Sequence, residues 1–423
     1  MLMLRRAILL AILALILWRV AALGLSSHYA ERLRAGNAEA ATKALAWNGR
    51  QSEALFAQAM TLREKDPDGA RALMARAFAE NPADARPLIA LAGMLQARDD
   101  PTRAAELVKV AVRLTPSDPW IHRQAANLWA SQGDLGKAMQ HWSQALEADP
   151  QAKGQLMPIL LALAEDPRTR PAFNAFTGSP PAWWESFFAE LARRALDPEP
   201  VRLLYALRRE STQAPVTESE RQTYVARLKK DGMVTEAYIE WVNGLSRERR
   251  ERLGLLHDGG FELEPTNWGF DWHLQGSANA VIDRVRTYGV DGDKALHLLF
   301  KRQENRFAGI HQPLFLDPGP YRLTGRVQTE GLETQGGLKW VLRCVLPEVK
   351  DLGESERFLG SNEWRDFGLE FQVPESCGLQ ELRLESAGRR PFEHKISGGA
   401  WFDRMAIRRL PSLAPTADPK PAS

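Results

Sequence analysis

The stretch "AFAENP" at residues 77–82 returns as "AVRLTP" at 111–116 and as "ALEADP" at 145–150, at a constant interval of 34 residues. Small residues recur at the same interval: Ala70, Ala104 and Ala138 at one position, and Ala77, Ala111 and Ala145 at another. Larger residues fill the position between them: Met74, Val108 and Trp142. A fixed period of this length predicts helix pairs that bury their apolar faces only by stacking on the next pair.

The period, the prolines and the small residues resemble the tetratricopeptide repeat (TPR), a helix-turn-helix unit of the same length. Residues 28–150 are therefore predicted to form TPR-like repeats. The first repeat departs from the pattern at Ala54, Gln58 and Thr61, and we interpret it as a capping repeat. Helical patterning continues over 151–256, which we expect to extend the solenoid. Such a solenoid offers a concave groove for a protein partner; the alternative is an ordinary helical bundle.

The charge balance argues against a general attraction to nucleic acid. The chain has 55 basic and 53 acidic residues, a formal net charge of +2, so no global field favours a polyanion. Catalytic signatures are also missing, because the sequence contains no Gly-rich phosphate loop, no HExxH and no GxSxG. Histidines such as His257, His297 and His311 are scattered singly, without metal-ligand spacing. We therefore predict a protein that is not an enzyme.

The N-terminus carries an export signal of one of two kinds. Residues 1–27 include Arg5 and Arg6, an apolar run over 7–17, and further apolar residues to Leu25. The segment is either a cleaved signal peptide or an uncleaved anchor, which spans the membrane if Arg19 snorkels to the far interface. Because arginines precede the apolar run, both alternatives export the rest of the chain. We expect a single-pass protein of the bacterial inner membrane, with its bulk in the periplasm.

The only two cysteines are Cys344 and Cys377. Because an exported chain enters an oxidising compartment, we expect a disulfide between them. The alternative is a pair of buried free thiols.

The pattern changes from helical to alternating near His257, with turn residues about every ten positions. Eight or nine short strands over 257–410 predict an antiparallel jelly-roll sandwich. Residues 411–423 have no apolar periodicity, and we expect a disordered tail. The predicted fold is thus multidomain: an N-terminal transmembrane helix, an all-α TPR-like solenoid and a C-terminal all-β jelly roll.

The motifs "DGGFELEPTNWGFDW" at 258–272 and "GGAWFDRMAI" at 398–407 resemble the galactose-binding-like jelly roll of carbohydrate-binding modules. The whole chain resembles a family of exported bacterial TPR proteins that carry such a module at the C-terminus. That family is associated with exopolysaccharide and O-antigen assembly. The resemblance implies a location and a pathway rather than a reaction.

The same resemblance implies a structural calcium between the first and last strands of the jelly roll. The matching positions are Glu262 and Asp403, with Asp291 and Asp293 in a nearby turn. Oxygen ligands that converge from loops suit calcium. No cofactor is required by this prediction, and the alternative is an ion pair of Glu262 with an arginine such as Arg404.

Tryptophans in the jelly-roll region suggest a sugar-binding face, because indoles stack on the apolar side of a pyranose. From five tryptophans in this region we predict that Trp272 and Trp340, together with Arg343, form that face. Strand alternation conflicts with this choice, since Trp340 and Arg343 point to opposite sides unless a bulge intervenes.

These observations predict a membrane-anchored, periplasm-facing scaffold for envelope polysaccharide assembly. Its TPR groove binds a protein and its jelly roll contacts glycan. Two alternatives remain open: a purely structural assembly factor that binds no sugar, and a polysaccharide-modifying enzyme.

Overall fold

The computed structural model of the protein describes residues 2–34, 39–304, 306–388 and 390–411. The chain forms two compact units. One holds Met1–Phe187 and Glu210–Ala214, and the other holds Phe188–Arg209 and Pro215–Ser423. Most of the predicted tail, residues 412–423, lies outside the described residues.

Helices make up the chain as far as residue 251. In chain order they are α1 (Leu2–Arg34), α2 (Ala40–Trp47), α3 (Ser52–Leu62), α4 (Pro67–Glu80), α5 (Arg86–Gln96), α6 (Pro101–Leu114), α7 (Pro119–Ser131), α8 (Leu135–Ala148), α9 (Lys153–Glu165), α10 (Asn174–Thr177), α11 (Trp184–Arg194), α12 (Glu199–Glu210), α13 (Glu218–Lys230), α14 (Val234–Gly244) and α15 (Arg247–Glu251).

The predicted repeats are confirmed as the helix pairs α3–α4, α5–α6 and α7–α8. The small residues of both periodic positions have no exposed surface, so the paired helices approach closely there. An aspartate caps each second helix at the same interval: the carboxylates of Asp66, Asp100 and Asp134 accept the backbone N–H three residues ahead. Each such cap stabilises a helix by about 1 kcal/mol.

α1 is a single uninterrupted helix of 33 residues. Its segment 5–33 is long and apolar enough to be a membrane span or a signal sequence. Its C-terminal turns pack on α2 through small residues four positions apart, namely Ala22, Ser26 and Ala30. The Ser26 hydroxyl donates to the carbonyl oxygen of Ala44 at 2.9 Å. The apolar helix therefore runs without interruption into the helical unit.

The predicted sandwich is confirmed as two five-stranded antiparallel sheets. The strands are β1 (His273–Leu274), β2 (Ala280–Arg286), β3 (Lys294–Glu304), β4 (Ile310–Leu314), β5 (Gly319–Thr334), β6 (Leu338–Leu346), β7 (Lys350–Glu354), β8 (Gly360–Val373), β9 (Leu379–Ser386) and β10 (Lys395–Arg409). The first sheet has the order β1-β4-β9-β6-β7, and the second has the order β2-β3-β10-β5-β8.

One apolar core fills the space between the two sheets. Trp340 and Leu382 reach it from the first sheet, and Leu298, Leu323 and Phe402 reach it from the second. All five side chains have no exposed surface. Burial on this scale, at about 25 cal/mol per Å² of apolar surface, is the main stabilisation of the sandwich.

The disulfide prediction is confirmed. Cys344 on β6 is bonded to Cys377 in the turn before β9, with their Cα atoms 5.7 Å apart. The bond therefore joins two segments that meet in the first sheet.

Helices of the second unit pack against the sandwich. Trp241 of α14 and Val225 of α13 lie in one cluster with Trp268, Phe270 and Leu379. Leu379 begins β9, and its neighbour Gln380 faces the core between the sheets. The helices consequently cover one end of the outer face of the first sheet.

Candidate functional site

A row of four side chains crosses the outer face of the second sheet, and we call it the Trp401 patch. It consists of Asp283 on β2, His297 on β3, Trp401 on β10 and Gln328 on β5. Register pairing places each residue directly opposite the next on the neighbouring strand. Directly opposed side chains on one face lie about 5 Å apart, so the four form a continuous surface.

Strand alternation explains why Trp401 faces outward. Its neighbours Ala400 and Phe402 have no exposed surface and face the core. Successive side chains of a strand point to opposite faces, so the indole of Trp401 lies on the outside, where it is half-buried.

The patch combines an aromatic surface with polar groups. The Trp401 ring stacks on the His297 ring, with centroids 4.6 Å apart and planes 20° apart. His297 Nδ1 lies 3.0 Å from Asp283 Oδ1, within hydrogen-bonding distance of the carboxylate. The side chain of Asp283 is 51% exposed. An aromatic ring flanked by a carboxylate, an imidazole and an amide suits a polyhydroxylated ligand.

The predicted sugar face at Trp272 and Trp340 is wrong. Both indoles lie in the core between the sheets, with 1% and 0% of their surface exposed. Trp272 Nε1 donates to the carbonyl oxygen of Asp258 at 3.1 Å. Because the rings are covered by protein, neither face is open to a pyranose.

Arg343 lies on the outer face of the first sheet and is separated from Trp340 by strand alternation. Its guanidinium pairs with Glu385 at 2.8 Å and with Asp351 at 3.3 Å. Both partners lie on neighbouring strands of the first sheet. Arg343 is therefore not part of the Trp401 patch, which lies on the second sheet.

The residues predicted to hold calcium surround one turn. Asp403 Oδ2 accepts the backbone N–H of Asp291 at 2.7 Å, and Glu262 Oε1 accepts those of Asp293 and Lys294 at 2.9 and 3.2 Å. Among the described residues, no three histidine, cysteine, aspartate or glutamate side chains form a group that could hold a metal ion. The carboxylates thus fix the turn through hydrogen bonds to the backbone.

One oxygen at this turn has no such partner. Asp403 Oδ1 is buried and accepts no hydrogen bond from the part of the chain that the structure describes. Burial raises the pKa of Asp403, and the nearby Asp291 and Glu262 carboxylates act in the same direction. Arg404 pairs with Asp291 at 3.3 Å rather than with Glu262. Calcium binding therefore stays a prediction, for which Asp403 supplies one available ligand atom.

A cavity of about 520 Å³ lies near the start of β10. Its lining includes Leu332, Thr334, Leu359, Phe392, Lys395 and Ser397. Phe392 is 48% exposed and Leu359 is 41% exposed. The cavity is a second place on the sandwich where apolar and polar groups meet, and no motif in the sequence pointed to it.

The solenoid carries a candidate protein-binding surface on α5 and α7. Arg86 and Trp120 occupy equivalent positions of the two helices, as do Gly93 and Asn127. The first pair is half-buried and the second is exposed. Within each helix the two residues are seven positions apart, so they lie on the same face of that helix. We call these four residues the solenoid face.

Comparison with known proteins supports the repeat assignment. The family model for the tetratricopeptide repeat matches residues 61–128. Among the curated proteins, none matches the chain.

Solved structures of low sequence identity match parts of the chain. PilF of Pseudomonas aeruginosa is 17% identical, covers 55% of this chain and 92% of its own, and gives a TM-score of 0.27. MamA is 17% identical over 32% of this chain and 81% of its own, with a TM-score of 0.25.

The CBM22-1 and GH10 modules of xylanase 10B from Clostridium thermocellum, solved with xylohexaose, are 17% identical over 36% of this chain, with a TM-score of 0.25. The alignment spans only 28% of the xylanase chain. Over residues 61–128 the chain is similar to tetratricopeptide repeat proteins.

Proposed function

We propose that this protein is a scaffold anchored in the bacterial inner membrane, with its bulk in the periplasm, that serves envelope polysaccharide assembly. The proposal rests mainly on one observation, the three stacked helix pairs whose small residues and aspartate caps recur at a constant interval. Stacked repeats of this kind present extended surfaces to protein partners. Confinement by α1 at the membrane raises the effective concentration of the binding surfaces near a membrane-bound polymerase or ligase.

The scaffold is tested by site-specific photocrosslinking in cells. A photoreactive residue in place of Asn127, on the solenoid face, crosslinks to a membrane protein of exopolysaccharide or O-antigen assembly. The matched control replaces Lys109, which is exposed on α6. Equal crosslinking at both positions, or at neither, contradicts partner binding by the solenoid face.

A second candidate function, glycan binding by the sandwich, is supported by the Trp401 patch. The indole offers an apolar surface for stacking, while Asp283 and Gln328 offer hydrogen-bonding groups on either side. We assign binding rather than catalysis to this surface, because no catalytic motif accompanies it in the sequence.

Glycan binding is tested by titrating the full-length protein in detergent with exopolysaccharide and lipopolysaccharide of its host. The full chain is used because Trp241 packs on Trp268 and Leu379, so a fragment that begins near residue 255 would lose this cover. Trp401→Ala abolishes binding, whereas Trp364→Ala, at another half-buried tryptophan of the second sheet, retains it. Loss of binding only in Phe392→Ala would instead assign the glycan to the cavity.

Absence of binding in every titration would favour the structural assembly factor that binds no sugar. Turnover of either polysaccharide by the purified protein would favour the third alternative, a polysaccharide-modifying enzyme.

A further inference from the structure

The second helix of the chain lies beside the apolar part of α1. Ser26 Oγ bonds to the carbonyl oxygen of Ala44, and the rings of Trp18 and Trp47 lie 5.8 Å apart. Because α2 begins beside Ala30 and ends near Trp18, it runs antiparallel to α1. Trp47 follows Ala44 by three residues, a rise of about 4.5 Å, so from the level of Ser26 the C-terminal end of α2 reaches the level of about Leu23, and the Trp47 ring extends to that of Trp18.

The apolar segment is too short to cross a membrane if the bilayer ends at Trp18. A helix rises 1.5 Å per residue, so Arg5 and Arg19 are only about 21 Å apart along the axis. The hydrocarbon core of a bilayer is about 30 Å thick, which corresponds to about 20 helical residues. A span that begins at Ala7 would consequently end near Ser26, within about 5 Å of the level of Trp47.

The exposed surface of α1 agrees with this depth. Leu23 and Leu25 are 42% and 38% exposed, on the sides that α2 leaves open, whereas Ala22 is only 3% exposed beneath α2. The two leucines continue the exposed apolar surface that begins at Ile8, and a contiguous apolar surface of this kind marks a membrane or protein contact. Lipid supplies that contact if the bilayer extends to Leu25.

We propose that the C-terminal end of α2, centred on Trp47, is embedded at the boundary between the headgroup layer and the acyl chains of the membrane. The inference rests on the proposed membrane anchor and adds a second lipid contact to it. Trp18 and Trp47 are amphipathic rings of the kind enriched at bilayer interfaces. Arg19 is exposed on α1, and its long side chain extends toward the headgroups in the manner of a snorkelling arginine.

This arrangement places α2 in direct contact with the bilayer. The structure shows α1 continuous to Arg34, so no flexible linker separates the apolar helix from the segment that binds α2. The depth of α2 is set by the depth of α1.

The test places a fluorescent label at single introduced cysteines of the full-length protein in proteoliposomes. Cys344 and Cys377 are bonded to each other, so only the introduced thiol reacts. Ala46→Cys and Thr42→Cys mark two exposed positions one turn apart on α2, Ile12→Cys marks the centre of the apolar helix, and Ala97→Cys marks the end of α5. Trp47 itself is unchanged in all four variants.

Lipids that carry a nitroxide either on the headgroup or deep in the acyl chain serve as quenchers. The label at position 46 loses emission mainly to the headgroup nitroxide, the label at 42 loses less, and the label at 97 loses none. The label at 12 is quenched mainly by the deep nitroxide.

Two outcomes distinguish the embedding of α2 from the membrane anchor on which it depends. Quenching at position 12 without quenching at 46 overturns the embedding of α2 and leaves the anchor intact. Absence of quenching at both positions overturns the anchor as well.

Discussion

His122 Nδ1 of α7 lies 3.0 Å from His141 Nδ1 of α8, which joins the two helices of the third repeat. His122 Nε2 also lies 2.8 Å from the carbonyl oxygen of Pro116. A carbonyl only accepts, so His122 Nε2 carries a proton and donates it to Pro116, and of the two facing Nδ1 atoms only one can carry a proton while the contact persists. Protonation of both Nδ1 atoms breaks the contact, which is therefore sensitive to acid.

The first prediction concerns this acid sensitivity. Burial, and then the neighbouring His122, holds the pKa of His141 below its ordinary value of 6.5. A pKa that is lower in the folded state means that stability is fully present above the unfolded pKa and is lost as the pH falls below it. Thermal unfolding of the helical unit, followed from about pH 7.5 to about pH 5.5, should show this loss.

The control for the acid effect is His141→Gln, which removes the titrating group. We expect a weaker dependence of unfolding temperature on pH in this variant over the same range. An unchanged dependence would show that His141 does not contribute to the acid sensitivity.

The second prediction concerns Gly259 in the "DGGF" turn. Met405 N donates to the carbonyl oxygen of Gly259 at 2.8 Å, and a Cβ on Gly259 would overlap the carbonyl oxygen of Met405. Gly259→Ala should therefore lower the free energy of unfolding of the sandwich by more than about 2 kcal/mol. Gly378→Ala is the matched control, because a Cβ there has no neighbour within 4 Å. Denaturant unfolding compares the two, and equal stability would refute the overlap.

The third prediction separates two tryptophans of the sandwich by their roles. Trp340→Ala should cost about 3–5 kcal/mol, because it opens a cavity in the core. Trp401→Ala should leave the unfolding free energy nearly unchanged, because the ring is on the surface, and should affect only glycan binding. Chemical denaturation of both variants checks the difference. A comparable loss in Trp401→Ala would indicate a structural role for the patch.

The fourth prediction tests calcium. We expect calcium to raise the unfolding temperature of the sandwich, because the buried Asp403 Oδ1 gains a partner. Asp403→Asn should lose this response while retaining an acceptor for the Asp291 N–H. Glu363→Gln, at an exposed position of β8, should respond like the original protein. Equal unfolding temperatures in calcium and in chelator would refute calcium binding at Asp403.

The periodic features of the fold were predictable from the sequence. The interval between Pro82 and Pro116 identified the helix pairs, because stacking requires equivalent contacts in every repeat. The cap at Asp100 belongs to the same period. The alternating pattern after His257 identified a sandwich for a similar local reason, since successive side chains of a strand point to opposite faces.

The candidate site was not predictable in the same way, because alternation does not say which face is the core. Trp340 shares its strand face with Leu338 and Leu342, and that apolar grouping is the signal that it is buried. Trp401 stands between Ala400 and Phe402, which identifies it as the outward residue once those two are assigned to the core. The partnership of His297 with Trp401 depends on strand register, which no local pattern reveals.

The contact between α14 and the sandwich could not be specified from the sequence. Trp241 meets Leu379, more than a hundred residues later, through an apolar cluster that joins elements of different type. Periodicity predicts which side of each element is apolar, but not which neighbour covers it.

The bond between Cys344 and Cys377 has a consequence for how the protein should be produced. The covalent loop that it closes contains β7, a strand of the first sheet, and β8, a strand of the second. An oxidised chain that has lost all other structure therefore keeps segments of both layers near each other, which shortens its search for the native pairing. Synthesis in a reducing cytoplasm removes this advantage, so recombinant material for any of these measurements is best secreted into an oxidising compartment.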